Sequence, residues 1–159
     1  MYINEVVGDE RVEDLDSQIE IVLEVWDELA NLVENQGYEE LNDIQRYVYA
    51  VNELFMEVNN GGFNQYFFNS AGDHALEALE ALDEMSFYKI AELLEKALSL
   101  FENGYIHDQF ARQDYLVGEN EDEIDSKCSA LDSEFYAINE DVDQQLYDYI
   151  YSNKEMLDA

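Results

Sequence analysis

Proline is missing altogether from these 159 residues, cysteine occurs once, and lysine and arginine together fill only 7 positions. Each scarcity excludes something. Without proline the commonest internal helix breaker is gone, and glycine is left to mark where helices stop. The lone Cys128 cannot close an intrachain disulfide, so no disulfide framework carries the fold. No apolar stretch approaches the ~18 residues of a membrane span. The opening MYINEVVGDERVEDLD has neither the basic start nor the apolar run of a secretory signal. The expected location is cytoplasmic, with no contact to membrane.

The shortage of bases stands against 39 Asp and Glu, for a formal net charge of -32. Solubility asks for a magnitude of only about 2 to 8 in a small domain, and self-repulsion on the larger scale works against the compact state. Such an imbalance implies a use for the charge, or a very salty environment. Direct binding to nucleic acid or to an anionic membrane is disfavoured, because phosphates would meet carboxylates at every approach. A basic partner is favoured instead. With 47% hydrophobic and 13% aromatic residues there is enough apolar surface for a real core. The length fits one acidic helical domain over 1–159, with 1–15 read as an extended N-terminal arm.

Helical periodicity runs through what is present. Over 17–36 the apolar positions Ile19, Val22, Leu23, Trp26, Leu29, Ala30 and Val33 recur at helical spacing, Ser17 and Glu20 suit a capping box, and Gly37 suits the stop. A second helix over 40–58 carries Leu41, Ile44, Val48, Val51, Phe55 and Val58. Asp73 is positioned to cap a helix over 74–85, and Ser86 one over 87–103 with Phe87, Ile90, Ala91, Leu94, Ala97, Leu98 and Phe101 inward. Residues 105–118 read as irregular or a short helix. Two helices, over about 120–131 and 140–157, close the chain. Only 2–7 offers any strand pattern. The class is all-α, a compact bundle of about six to eight helices.

One stretch interrupts the pattern: NGGFNQYFFNSAG, residues 60–72. Adjacent Gly61 and Gly62 permit a sharp turn with positive φ, after which Phe63, Tyr66 and Phe67 share one face of a short helix that ends near Gly72. Asn60 and Asn69 suit backbone groups at helix ends. The rival reading makes Asn64, Gln65, Asn69 and Ser70 a polar pocket. Asn60, Gly61, Gly62 and Phe63, then Gln65, Tyr66 and Phe67, then Asn69, Ser70 and Gly72, with the Ala/Leu-rich run through Leu82, resemble the signature of a bacterial domain family of mostly unknown function. Its best-understood member is a DNA-mimic protein. Leu131 with Asp132, and Phe135 with Tyr136, are similar to the same family's C-terminal pattern, so the likeness spans roughly 40–157. The resemblance implies an all-helical fold and, by analogy, a protein that occupies the DNA-binding face of a transcription regulator. The mimic's acids are not part of the signature, so no functional residue is carried over.

The acids fall in rows. Glu20, Glu24, Asp27 and Glu34, with Asn31 in the gap, run up one side of the first long helix opposite Trp26. Asp73, Glu77, Glu80 and Glu84 repeat the spacing on the Ala-rich helix. Glu121, Asp122, Glu123 and Asp125, preceded by Glu119, crowd a helix start, where the helix dipole accounts for some but not all of them. Asp141, Asp143 and Asp148 extend the acidity, interrupted by Lys127 and Lys154. Carboxylates three or four apart on a helix stand about 5–6 Å apart at Cβ, so each row is a rigid line of negative charge. The plain alternative is a solvated helix face. Ordinary faces mix signs, whereas only Glu92 with Lys96 and Glu123 with Lys127 offer pairs at that spacing here. Tyr38, Tyr49, Tyr147 and Tyr151 serve either as anchors beside the acids or as core.

Catalytic patterns are not apparent. His74 and His107 are far apart in sequence, Cys128 has no near partner, and no phosphate loop, nucleophile elbow or zinc spacing occurs. His74 reads as a surface or cap residue; His107 beside Asp108 is the better functional candidate of the two, although a satisfied histidine of an irregular segment is the commoner case. ENEDEIDSKCSA lacks the glycine and glutamate of a calcium loop, so no metal or cofactor is expected. What the family resemblance implies, supported by the net charge, is a non-enzymatic DNA-mimic inhibitor of a basic, plausibly helix-turn-helix transcription factor. The alternatives are an immunity protein against a basic nuclease toxin and an acidic housekeeping protein adapted to salt. A homodimer stays open.

Overall fold

The structure, a computed structural model, describes residues 3–138 and 141–158. Among them all regular structure is helical: eight α-helices and two short 3-10 segments, with no strand. The chain forms two compact units, one gathering 3–49 with 141–158 and the other 50–138.

The first unit is built on α2, Leu15–Gln36. Gln18, Val22, Val25 and Leu29, spaced four, three and four, form its buried line. That line packs on Leu146, Tyr147 and Ile150 of α8, Val142–Ser152. Each fully buried aliphatic or aromatic side chain contributes about 1.5–3 kcal/mol. Leu23, read from the sequence as part of the apolar face, is instead 55% exposed, because the buried line runs on the other side of Glu24. The helix starts earlier than the capping box implied. Asp14 is the N-cap and accepts from the Ser17 N–H at 3.0 Å; hydrogen bonding from the Ser17 side chain, then from its N–H, holds the Asp14 carboxyl below the usual range. Residues 3–7, expected as part of an extended arm and considered as a strand, form the helix α1 (Ile3–Val7), because Ile3 and Val7, four apart, both bury. Tyr2 lies outside the described residues, as does Glu140, where the last helix was expected to begin. A 3-10 segment, Tyr38–Glu40, leads into α3.

The second unit begins within α3, Asp43–Phe68, whose helical path is broken at Gly62. It continues through a 3-10 segment Ser70–His74, α4 (Ala75–Glu84), α5 (Tyr88–Leu98), α6 (Gln109–Leu116) and α7 (Glu121–Tyr136). Alanines 75, 78 and 81 are all buried and let α4 approach α5 closely. Phe55, Phe63, Phe67, Phe87, Phe101 and Phe135 form a connected aromatic core, with edge-to-face pairs such as Phe55–Phe87 at 5.4 Å and Phe67–Phe101 at 5.1 Å between centroids.

Two expected caps do other work. Asp73 does not cap α4, whose N-cap is His74 without a side-chain bond; its carboxylate faces Arg112 instead. Ser86 does not cap α5: it sits at φ 64°, and Phe87 precedes the helix. Helix α5 also stops at Leu98, short of 103. The segment 105–118 resolves into α6, capped by Asp108 through the Ala111 N–H at 2.9 Å.

Candidate acidic interaction surface

At the glycine motif only Gly62 takes positive φ, at 82°, with ψ -178°; Gly61 stays helical. The Phe63 N–H freed by the break donates to Oδ1 of Asp132 on α7 at 2.8 Å. A Cβ at Gly62 would stand 2.1 Å from the same carboxylate. Burial raises the Asp132 pKa, and the Phe63 bond partly offsets this. Phe63, Tyr66 and Phe67 are fully buried, as their spacing implied. Phe135 packs edge-on against Phe63 at 6.0 Å, and the Tyr136 hydroxyl donates to the Val58 carbonyl at 2.5 Å. The two stretches that carry the family resemblance therefore meet in space, and what they build is the core of the second unit.

The amides of the motif are engaged as well, with other side chains and not with the backbone groups expected of Asn60 and Asn69. Gln65 and Asn69 both donate to Glu57 Oε2, at 2.8 and 2.9 Å, Asn60 Nδ2 lies 3.4 Å from Gln65 Oε1, and Asn64 donates to Asp125. These bonds leave little for an open polar pocket. Gly72, at the end of the motif, lies against the guanidinium of Arg112, where a Cβ would come within 2.8 Å.

Arg112 is the residue that sequence reasoning missed. Its side chain is wholly buried and donates to the carbonyls of Phe67, Ile106 (3.1 Å), His107 (2.9 Å) and Asn69 (2.9 Å), and to Asp73 at 3.0 Å. Five donors in a rigid fork suit it to gather the carbonyls left open where the motif helix ends. Its scarcity was the only hint: a base kept in so acidic a chain. His74, read as a surface or cap residue, pairs with the buried Glu53 at 3.0 Å, and burial pushes that carboxyl up.

The structure sorts the acidic rows by how free they are. On α2, Glu20, Glu24, Asp27 and Glu34 are all exposed, and no ion pair among the described residues reaches any of them. On the second row Asp73 is tied to Arg112, Glu77 is half-buried, and Glu80 and Glu84 are exposed. On α7, Glu121 and Asp122 are exposed, Glu123 pairs with Lys127 at 2.8 Å, and Asp125 accepts from Asn64. Asp141, Asp143 and Asp148 belong to the first unit, where Asp141 caps α8 and Asp148 pairs with Arg11. Of the tyrosines considered as anchors, Tyr38 and Tyr147 are core, Tyr49 stacks on Trp26 at 4.8 Å, and Tyr151 donates to the Asp9 carbonyl. The exposed apolar group in the α2 row is Leu23, bracketed by Glu20, Glu24 and Asp27.

A family model described as DMP19-like protein matches residues 39–153, well over half of the chain. The chain belongs to the DMP19-like protein family. No match is found among curated proteins or solved structures. The DMP19-like span takes in the glycine motif, Arg112 and the acids of α4 and α7; it begins after α2, so the freest row stands outside it.

Proposed function

We propose that this protein is a DNA mimic: an acidic, non-catalytic inhibitor that covers the basic DNA-binding surface of a cytoplasmic transcription regulator, plausibly of the helix-turn-helix type. The observation that carries the reading is the α2 row, four exposed carboxylates on one helix that no ion pair among the described residues reaches. From Glu20 to Glu34 the row extends about 21 Å at 1.5 Å per residue, a length over which one DNA strand offers about six phosphates. Four charges are sparser than that, and Leu23 supplies an apolar contact that a phosphate backbone lacks. Charge draws the regulator in, and the leucine fixes where it seats. Membership of the DMP19-like family supports the mimic reading, while the choice of α2 rests on exposure and charge alone. The acids of α4 and α7 are secondary, since several are already held within the fold.

Capture from host lysate on the immobilised protein at low salt, with mass spectrometry of a stepwise salt eluate, tests this. The expected result is one DNA-binding regulator, displaced by duplex carrying its own operator and not by a scrambled duplex. A scatter of basic proteins leaving at the first salt step would reduce the acidic surface to a nonspecific exchanger.

A further inference from the structure

Four of the seven basic residues are committed to the fold. Arg112 is enclosed; Arg11 pairs with Asp148 and lies over the Tyr147 ring; Arg46 donates to the Glu39 carbonyl at 2.6 Å; Lys154 donates to the carbonyls of Gly8 and Asp9 at 2.7 and 3.2 Å. The other three, Lys89, Lys96 and Lys127, stand on α5 and α7 of the second unit and line two hollows that share Lys96. In a chain of net charge -32, the lysines whose ion pairs, where present, are with acids of their own helix are thus gathered in one region. The first hollow has a volume of about 380 Å³, within the roughly 300–1,000 Å³ of small-ligand sites. Its walls are apolar at Leu100, Ile124 and Leu131, and both Lys96 and Lys127 border it.

We propose that this cavity between α5 and α7 binds an amphipathic organic monoanion of the medium-chain carboxylate class. The tail lies on Leu100, Ile124 and Leu131, and the carboxylate accepts from Lys96 and Lys127. An ammonium has three donors. Glu123 occupies one on Lys127 at 2.8 Å, and Glu92 meets Lys96 at 3.5 Å, so both retain donors for a ligand. Glu102 and Glu123 also line the cavity and set the class: two carboxylates beside two ammoniums repel a multiply charged head such as phosphate, and leave room for a single charge on an apolar body.

The test is a titration of the full chain with sodium octanoate and, separately, 1-octanol, followed by amide chemical shifts in two-dimensional NMR. Octanoate should give saturable, one-site shifts on α5 and α7, and bind more tightly than octanol. Because both charge-assisted hydrogen bonds would be lost, Lys96→Gln with Lys127→Gln should weaken octanoate by at least about tenfold. Lys89→Gln, in the neighbouring hollow, should leave it unchanged. Absence of saturable shifts at millimolar octanoate, equal affinity for octanol, or undiminished binding in the double variant would each overturn the assignment. The comparison of octanoate with octanol uses the unaltered protein, so it stands whatever the variants' stability.

Discussion

Gly61 and Gly62 are neighbours of one residue type, yet the structure asks different things of them. Gly62 occupies a backbone region open essentially to glycine and abuts Asp132, a short side chain already bonded to the Phe63 N–H. Gly62→Ala is expected to cost about 1–3 kcal/mol in urea unfolding. At Gly61 a Cβ meets chiefly the movable end of Gln65, on an exposed helical position. Gly61→Ala should therefore change stability by no more than roughly 0.5 kcal/mol. Arg112→Met keeps much of the side-chain volume but leaves the carbonyls of Phe67, Asn69, Ile106 and His107 without their donor; a loss of at least about 3 kcal/mol is expected. Arg112→Lys should recover little, since one ammonium does not span four carbonyls. If Arg112→Met unfolds at the wild-type urea midpoint, the buried fork is not what holds the end of the motif.

At the scale of the element, the sequence was informative where a local period decided the outcome. The 3.6-residue repeat placed α2, α3, α4 and α5, and the motif's Phe63, Tyr66 and Phe67 entered the core as their spacing required. It failed where the partner was remote in sequence. Asp73 and Ser86 look like caps by type, but Arg112, 39 residues from Asp73, takes the Asp73 carboxylate, and a positive φ removes the Ser86 hydroxyl from capping geometry. Leu23 counts as apolar in any periodicity, and only the position of α8 decides that the buried line runs through Val22 and Val25. The acidic rows were legible as rows, and so was the Glu123–Lys127 pair from its spacing; that Asp73 and Asp125 are also held was not, because Arg112 and Asn64 reach them through the fold. Reversing Glu20, Glu24 and Asp27 together to Lys should leave far-UV helicity intact, since all three are exposed. The same change should lower affinity for the captured regulator at least tenfold. The same reversal at Glu121 and Asp122 should cost less. Equal losses would mean that net charge, and not α2, carries the binding.

For the molecule as a whole, the charge predicts an unusual response to acid. Burial raises the pKa of Glu53, Asp132 and Asp143, so the folded chain holds these protons more tightly than the unfolded chain does. Stability from such groups is full below the ordinary carboxylate range and is lost as pH rises through their folded values. Partial protonation also relieves self-repulsion. The melting temperature should therefore rise as pH is lowered from 7 toward the ordinary carboxylate range, by about 2–4 °C for each kcal/mol gained. Asp14, whose pKa is lowered, acts in the opposite sense only at more acid pH. Added salt at pH 7 should likewise stabilise the fold while weakening the complex with a basic partner. Mimicry itself is tested most directly by competition: the fraction of operator duplex released from the captured regulator as this protein is titrated in. Release should be complete and stoichiometric, with the required concentration rising as salt is added. Formation of a ternary complex, with regulator, protein and operator bound together, would contradict it.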